Sequence, residues 1–242
     1  MAVSPSLQAA DVVAPTDVVA IDGPSGAGKS TVARLLAQRL GFAFLDTGAM
    51  YRAITLHFLR HGCAPAMVAG EPDRGEARMR AALATARLEL APGRIALDGV
   101  DVSADIRTRD VEAQVSAVAA LPFVRAAMGD LQRQVARSGP VVAEGRDMGS
   151  VVFPSARWKV YLDAAPEERA RRRCQDFARQ GRQVSEADVL AEIVQRDRLD
   201  STRAAAPLVR SAGALYLDST GLPTETVLGR LLALVRGEAG LA

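Results

Sequence analysis

The sequence predicts an α/β fold, a doubly wound five-stranded parallel sheet with one small antiparallel β insert. Five short apolar runs, each ending at or beside an acidic residue or a glycine, predict buried parallel strands. They are Val18–Asp22, Phe42–Asp46, Val141–Glu144, Lys159–Asp163 and Leu215–Asp218. Helical patterns lie between these runs, and this alternation is typical of a doubly wound sheet. The insert is expected at Leu88–Val102, where Pro92-Gly93 and Asp98-Gly99 separate short alternating runs as hairpin turns do.

The helices are predicted from apolar stripes and from residues that suit helix ends. The first helix is expected at Lys29–Leu40, and Gly41 suits its C-terminal cap. The segment Gly70–Gly75 is expected to be a plain loop leading into the insert. A later helix is expected to begin near Ser185, with Asp188 three residues on in a capping-box pattern.

The composition narrows the class of protein. A hydrophobic fraction of 49% and a charged fraction of 24% are ordinary for a globular chain. A net charge of +2 from 30 basic and 28 acidic residues is too balanced for broad capture of nucleic acid or anionic membrane. Cys63 and Cys174 are too few for a disulfide framework, so we expect reduced thiols in a cytoplasmic protein. Neither a secretory signal in residues 1–16 nor a long apolar run is evident.

The strongest motif is GPSGAGKS at residues 23–30, which matches GxxxxGK[ST] between a predicted strand and a predicted helix. In that context the glycines turn backbone N–H groups toward phosphate oxygens, and the helix N-terminus adds further donors. Lys29 is placed to reach the β and γ phosphates of ATP, and the Ser30 hydroxyl to ligate Mg²⁺. The candidate nucleotide-binding residues are Gly23, Pro24, Ser25, Gly26, Ala27, Gly28, Lys29, Ser30 and Thr31.

This phosphate-binding motif does not by itself distinguish a kinase from a switch GTPase or a motor ATPase. The sequence contains no asparagine, which excludes the NKxD element of guanine-specific switches, and it lacks the HRD motif of protein kinases. The segment LDTGAMYRAI after the second strand offers Asp46 or Thr47 as a helix cap, and Tyr51 and Arg52 would then face a cleft.

Five segments along the chain carry a more specific resemblance. In this order, IDGPSGAGKST, LDTGAMYR, EGRDMG, RRRCQDFARQG and RAAAPL resemble bacterial cytidylate kinases, which are P-loop nucleoside monophosphate kinases. The similarity covers nearly everything after the N-terminal tail. Thr47 stands where serine is also common in that family, and Glu144 where aspartate often precedes GRD, and both residues keep the functional group.

The resemblance implies roles for residues on the acceptor side. It assigns Arg52 and Arg146 to the α-phosphate of CMP or dCMP, a task that suits a planar, permanently charged guanidinium. It assigns Ser116, Arg125 and Asp147 to the cytosine base, where a carboxylate can accept from the N4 amine and disfavour the carbonyl of uracil. Without the family context, an arginine of this kind is more often in an exposed ion pair, and Ser116 is equally well an ordinary helix serine.

The resemblance also implies a lid and a substrate-binding helix. Arg196 and Asp200 are assigned to the ribose and its surroundings, and Arg203 to phosphate. Arg169, Arg172 and Arg173 lie at helical spacing within Glu167–Gly181, a basic face that the resemblance identifies as a lid over ATP. Solvated ion pairs, or a nucleic-acid patch for the basic face, are the alternatives. The resulting candidate catalytic residues are Lys29, Arg146, Arg172 and Arg203, and the candidate substrate-binding residues are Thr47, Tyr51, Arg52, Ser116, Arg125, Arg146, Asp147, Arg196, Asp200 and Arg203.

The sequence therefore predicts an ATP- and Mg²⁺-dependent kinase for CMP and dCMP that is a monomer and binds neither nucleic acid nor membrane. We expect a flexible tail at residues 1–16 and a kinase domain at 17–242, with an acceptor-binding insert at about 63–125 and a lid at about 166–184. Glu144 is expected to order water around Mg²⁺. A kinase for UMP, AMP or a small metabolite, and a non-catalytic nucleotide switch, remain the alternatives.

Overall fold

The computed structural model describes residues 17–91, 93–179, 181–203 and 205–237. The tail predicted at residues 1–16 and Pro92 of the predicted hairpin lie outside the described residues.

A five-stranded parallel sheet forms the centre of the fold and confirms the predicted class. Its strands are β1 (Val18–Asp22), β2 (Ala43–Asp46), β6 (Val141–Gly145), β7 (Trp158–Asp163) and β8 (Leu215–Asp218), in the order β2-β6-β1-β7-β8. Every neighbouring pair is parallel. The predicted strand limits differ from these by no more than one residue. Because β1 lies at the centre, its carboxyl end meets those of β6 and β7, where ligands bind in open α/β sheets.

The antiparallel insert is also present. Strands β3 (Leu88–Ala91), β4 (Arg94–Leu97) and β5 (Val100–Asp101) form a separate three-stranded sheet with antiparallel pairing. Asp98 and Gly99 connect β4 to β5 with φ values of 54° and 82°. Two successive left-handed residues make the tight hairpin turn that an Asp-Gly pair favours.

Helices cover both faces of the parallel sheet. They are α1 (Lys29–Leu40), α2 (Thr47–Arg60), α3 (Pro72–Thr85), α4 (Arg109–Ala120), α5 (Pro122–Arg137), α6 (Pro166–Arg179), α7 (Glu186–Thr202) and α8 (Thr224–Arg236). Alternate residues of β1 point to opposite faces. Val18 and Ala20 pack with residues of α2 and α5, whereas Val19 and Ile21 pack with residues of α1 and α8.

Two local expectations were wrong. The segment Gly70–Gly75 is not a plain loop, because α3 begins inside it. Ser185 does precede α7, but its side chain makes no capping hydrogen bond, so the capping box does not form. In α2, by contrast, the Asp46 carboxylate accepts a hydrogen bond from the Ala49 amide at 2.8 Å, as expected of a cap.

Helices α6 and α7 pack against each other through a small apolar cluster of their own that includes Ala170, Phe177, Val189 and Ile193. No single helix within the described ranges is long and apolar enough to cross a membrane, although α4 and α5 together meet that test as a pair bent by 92°. Both cysteines are free thiols.

Candidate active site

A cleft of about 990 Å³ opens at the carboxyl ends of the central strands. It is lined by residues of the phosphate-binding loop, the start of α2, the insert, the segment after β6, and α6 and α7. Every predicted site residue lines this cleft except Gly23 and Pro24. The structure thus brings together side chains that are as much as 178 positions apart, from Ser25 to Arg203.

Gly23 and Pro24 shape the loop instead of facing the cleft. A Cβ atom on Gly23, whose φ is +148°, would lie 1.9 Å from the Leu162 carbonyl oxygen. Only glycine allows β1 and β7 to approach this closely. The Pro24 carbonyl accepts a hydrogen bond from Lys29 Nζ at 2.7 Å, which closes the loop on itself.

The last two residues of the phosphate-binding motif, Lys29 and Ser30, begin α1, and Gly28 is the residue before this helix. Gly28 adopts a left-handed conformation with φ 91°, and no side chain caps the helix. The first amides of α1 consequently point toward the cleft, where they can bind an anion. The Lys29 side chain is buried there, and its burial, with the positive charge of Arg146, lowers the pKa of Lys29 to about 7.

Ser30 and Glu144 form a pair of oxygen ligands beside Lys29. The Ser30 hydroxyl donates to Glu144 Oε1 at 2.5 Å. Burial raises the pKa of the Glu144 carboxyl, and the negative charge of Asp46 raises it further, while Lys29 opposes the shift. Within the described ranges no cluster of three metal-ligating His, Cys, Asp or Glu residues occurs. A hydroxyl and a carboxylate fit Mg²⁺, which prefers oxygen ligands and takes the rest from water and nucleotide phosphates.

The acceptor side of the cleft contains a group of arginines with two carboxylates among them. Arg146 donates from Nε to Asp200 Oδ2 at 2.8 Å. Burial alone would raise the pKa of Asp200, but the charges of Arg146, Arg196 and Arg203 together outweigh it and the pKa falls. Burial of the Arg196 guanidinium, together with the charges of Arg146 and Arg52, lowers its pKa to about 9. Burial likewise lowers the pKa values of Arg52 and Arg203.

Some of these buried donors have no hydrogen-bond partner. The Nε atom of Arg196 and the Nη2 atom of Arg203 make no hydrogen bond with any described residue. Buried guanidinium N–H groups without partners are destabilising unless a ligand satisfies them. Since several positive charges converge here, this part of the cleft can accept an anion such as a phosphate.

Asp147 lies between two arginines at the predicted base position. Its carboxylate pairs with Arg125 Nη2, and Arg203 Nη2 lies 3.8 Å from the other carboxylate oxygen. The Arg125 guanidinium lies 5.8 Å from the ring centre of Tyr51, whose pKa is raised to about 12 by burial. Ser116 lines the same part of the cleft. The Thr47 hydroxyl donates to the Glu144 carbonyl at 2.7 Å, which leaves its lone pairs for a ligand.

The basic face predicted on α6 divides into two parts. Arg172 faces the cleft, and its N–H groups contact the Ser219 carbonyl at 2.6 Å and the Ala27 carbonyl at 3.4 Å. Arg169 does not face the cleft. It is buried, donating to the Ser25 carbonyl at 3.2 Å and pairing with Asp197 at 2.7 Å. It therefore joins the phosphate-binding loop to α7 and is not part of a solvated basic face.

Sequence reasoning missed two contacts of the site. Arg173, on α6, forms an ion pair with Glu112 of α4 at 3.0 Å, and this pair connects α6 to α4. Asp22, the residue before Gly23, binds the segment that follows Asp147. For Asp22, its position directly before the GPSGAGKS motif was the one indication in the sequence of a role at the site. Nothing in the sequence singled out Glu112.

Comparisons with known proteins match most of the chain to one family. A family model described as cytidylate kinase matches residues 19–237. Among curated proteins, a cytidylate kinase of Pelotomaculum thermopropionicum is 48% identical over 90% of this chain and 95% of its own length. Cytidylate kinases of Solibacter usitatus and Carboxydothermus hydrogenoformans are 47% and 44% identical, each over 90% of this chain, and over 92% and 96% of their own lengths.

Proposed function

The chain belongs to the cytidylate kinase family, and from that premise we propose that it transfers the γ-phosphoryl group of ATP to CMP or dCMP in this cleft. The products are ADP and CDP or dCDP. The observation that carries the proposal is the set of buried guanidinium N–H groups on Arg196 and Arg203 that make no hydrogen bond with any described residue and that share one cleft with the phosphate-binding loop.

The triphosphate binds at the loop of residues 23–30. Backbone N–H groups at the start of α1 hold its phosphate oxygens, and Lys29 moves from the Pro24 carbonyl to the phosphates. Ser30 would hold Mg²⁺, and Glu144 would order water around it. When bound, the metal neutralises charge on the phosphates. Arg172 lies beside the loop and offsets charge that develops on the transferred group.

The monophosphate binds on the opposite side. Arg52 and Arg146 hold its phosphate, Arg203 adds a further positive charge, and Arg196 and Asp200 contact the ribose. Asp147 accepts from the N4 amine of cytosine, with Ser116, Tyr51 and Thr47 around the base, while Arg125 orients the carboxylate. Acceptor specificity follows because uracil would place a carbonyl oxygen against this carboxylate.

Transfer is direct and in line. An oxygen of the CMP phosphate forms a bond to the γ-phosphorus as the bond to the β–γ bridging oxygen breaks, and ADP leaves. No general base is required, since the second pKa of a phosphate monoester is about 6 and its oxygen is ionised near neutral pH. The buried His57 accordingly has a structural role, and its Nε2 atom lies 3.0 Å from the Ala82 carbonyl of α3.

We further propose that the enzyme acts as a cytoplasmic monomer without nucleic acid. The near-neutral net charge of +2 supports the absence of nucleic acid, and the two free thiols support a cytoplasmic location.

A coupled assay of ADP release tests the function with CMP, dCMP, UMP and AMP as acceptors. We expect CMP and dCMP to be used at least about fivefold better than UMP, because one mispaired base contact costs about 1–3 kcal/mol. Phosphorylation of AMP at the rate of CMP would contradict the proposed base contacts. ATP binding without transfer to any monophosphate would instead favour a nucleotide-controlled switch.

A further inference from the structure

Asp22 is a buried carboxylate that the proposed mechanism does not use. It is the last residue of β1, directly before the phosphate-binding loop, and it is only 2% exposed. Its Oδ1 atom accepts a hydrogen bond from the Met148 amide at 2.7 Å, and its Oδ2 atom accepts one from the Gly149 amide at 2.8 Å. Both oxygens are therefore occupied by backbone donors that lie 126 and 127 positions away along the chain.

The two amides belong to the π-helical turn Met148–Val152, which immediately follows Arg146 and Asp147. A carboxylate that binds consecutive amides with its two oxygens fixes both the position and the direction of that backbone. Arg146 and Asp147 line the acceptor side of the cleft, and Asp147 is bonded directly to Met148. Any shift of the turn would move both side chains.

The surroundings of Asp22 hold this contact closely. A Cβ atom on Gly149 would lie 2.7 Å from Ser211 Oγ and 3.4 Å from Asp22 Oδ2, so a larger residue would displace the turn. On the other side, Gly23 packs against the Leu162 carbonyl of β7. Glycines therefore provide the space for close contacts both in the turn that Asp22 binds and in the residue that follows Asp22.

Among the described residues no cation forms an ion pair with Asp22. Burial raises its pKa to about 6, while the amides of Gly149 and Met148 oppose the shift. The carboxylate is therefore mostly ionised at neutral pH and is stabilised mainly by the two backbone donors. The two backbone hydrogen bonds are therefore the main contacts that offset the burial of this charge, with a smaller contribution from the charge of Lys29.

We propose that Asp22 is a positioning residue for the acceptor nucleotide: it ties the strand that carries the phosphate-binding loop to the turn behind Arg146 and Asp147, and so aligns the two substrate sites. This inference rests on the proposed function. Asp22 touches neither substrate, and its effect reaches CMP only through the residues of the turn.

The test is Asp22→Asn, which keeps the shape but replaces one acceptor oxygen with an NH₂ group that faces an amide donor. Losing one charge-assisted hydrogen bond predicts a rise of about tenfold or more in KM for CMP and in the dissociation constant of CMP measured without ATP. KM for ATP should change by less than about threefold, because the phosphate-binding loop keeps its own contacts. The matched control is Asp17→Asn, which changes an exposed carboxylate paired with Arg157 beside the same strand and should leave both KM values unchanged.

A second variant keeps the inference testable if Asp22→Asn does not fold. Gly149→Ala adds a Cβ atom 2.7 Å from Ser211 Oγ, which displaces the same turn, and it should raise KM for CMP selectively as well. Unchanged KM for CMP in the folded variant, or an equal rise in both KM values, would overturn the role of Asp22. If the wild-type protein transferred no phosphate to CMP, the proposed function itself would fail, so the two failures are distinguishable.

Discussion

The substitution Asp147→Asn should weaken the preference for cytosine more than it weakens phosphate transfer. The carboxylate is 3% exposed and pairs with Arg125, whose side chain is 10% exposed. The amide side chain has nearly the same shape as the carboxylate but no longer offers two equivalent acceptor oxygens to the N4 amine. One contact to a base edge discriminates by about 1–3 kcal/mol, so the ratio of kcat/KM for CMP to that for UMP should fall about 5- to 150-fold.

The same substitution removes the partner of a buried arginine. Breaking a buried ion pair costs about 3–5 kcal/mol, so the free energy of unfolding should also fall. The assay is coupled ADP release with each acceptor, run below the measured unfolding temperature of the variant. Asp130→Asn is the matched control, because Asp130 forms an exposed pair with Arg133 on α5 and should change neither quantity. A folded variant with an unchanged CMP to UMP ratio would refute the reasoning.

Three further predictions concern the phosphate-binding loop. Gly23→Ala places a Cβ atom 1.9 Å from a carbonyl oxygen of β7 and should lower the free energy of unfolding by about 2–4 kcal/mol in chemical denaturation. The control is Gly70→Ala, whose added Cβ would have no non-neighbouring atom within 4 Å. Equal denaturation midpoints for the two variants would contradict the clash. Burial lowers the pKa of Lys29 to about 7 in the free protein, and a bound triphosphate raises this pKa, so ATP binding takes up a proton. The affinity for ATP should therefore be greatest below pH 7 and should fall as pH rises from about 7 to 9. An ATP dissociation constant that is independent of pH in titrations over this range would show that Lys29 is already charged. Arg169→Ala breaks a buried ion pair with Asp197 of α7 and a hydrogen bond to the Ser25 carbonyl of the loop, which should cost about 3–5 kcal/mol of unfolding free energy and raise KM for ATP. Arg179→Ala removes only an exposed ion pair and should have little effect on stability. Similar denaturation midpoints for the two variants would rule out the joining role of Arg169.

The sequence was sufficient for the strands and the loop because both depend on local patterns. The apolar runs of β1 and β6 are buried on both faces of the sheet, so they read as continuous hydrophobic stretches. The phosphate-binding loop is contiguous, and its glycines are required by backbone geometry. The residues proposed for the acceptor side come from the resemblance alone, since no periodicity relates Arg52 to Arg203.

Features that depend on packing between distant segments could not be read from the sequence. Helical spacing placed Arg169 and Arg172 on one face of α6, but spacing does not tell which part of a face packs against a neighbouring loop. The structure shows Arg169 buried against Ser25 and Asp197 while Arg172 lines the cleft. The contact of Asp22 with the turn after Asp147 joins segments 126 positions apart, and no local pattern predicts it.

In the proposed reaction one cleft holds a triphosphate and a pyrimidine monophosphate at the same time, with their phosphates facing each other. The most direct measurement is the binding of a bisubstrate analogue in which adenosine and cytidine are joined 5′ to 5′ by five phosphates, compared with ATP and CMP separately. We expect one analogue per protein molecule and an affinity at least about a hundredfold tighter than that of either nucleotide, because the second half binds intramolecularly. An analogue that binds no more tightly than ATP, and that leaves the CMP site free, would contradict the claim.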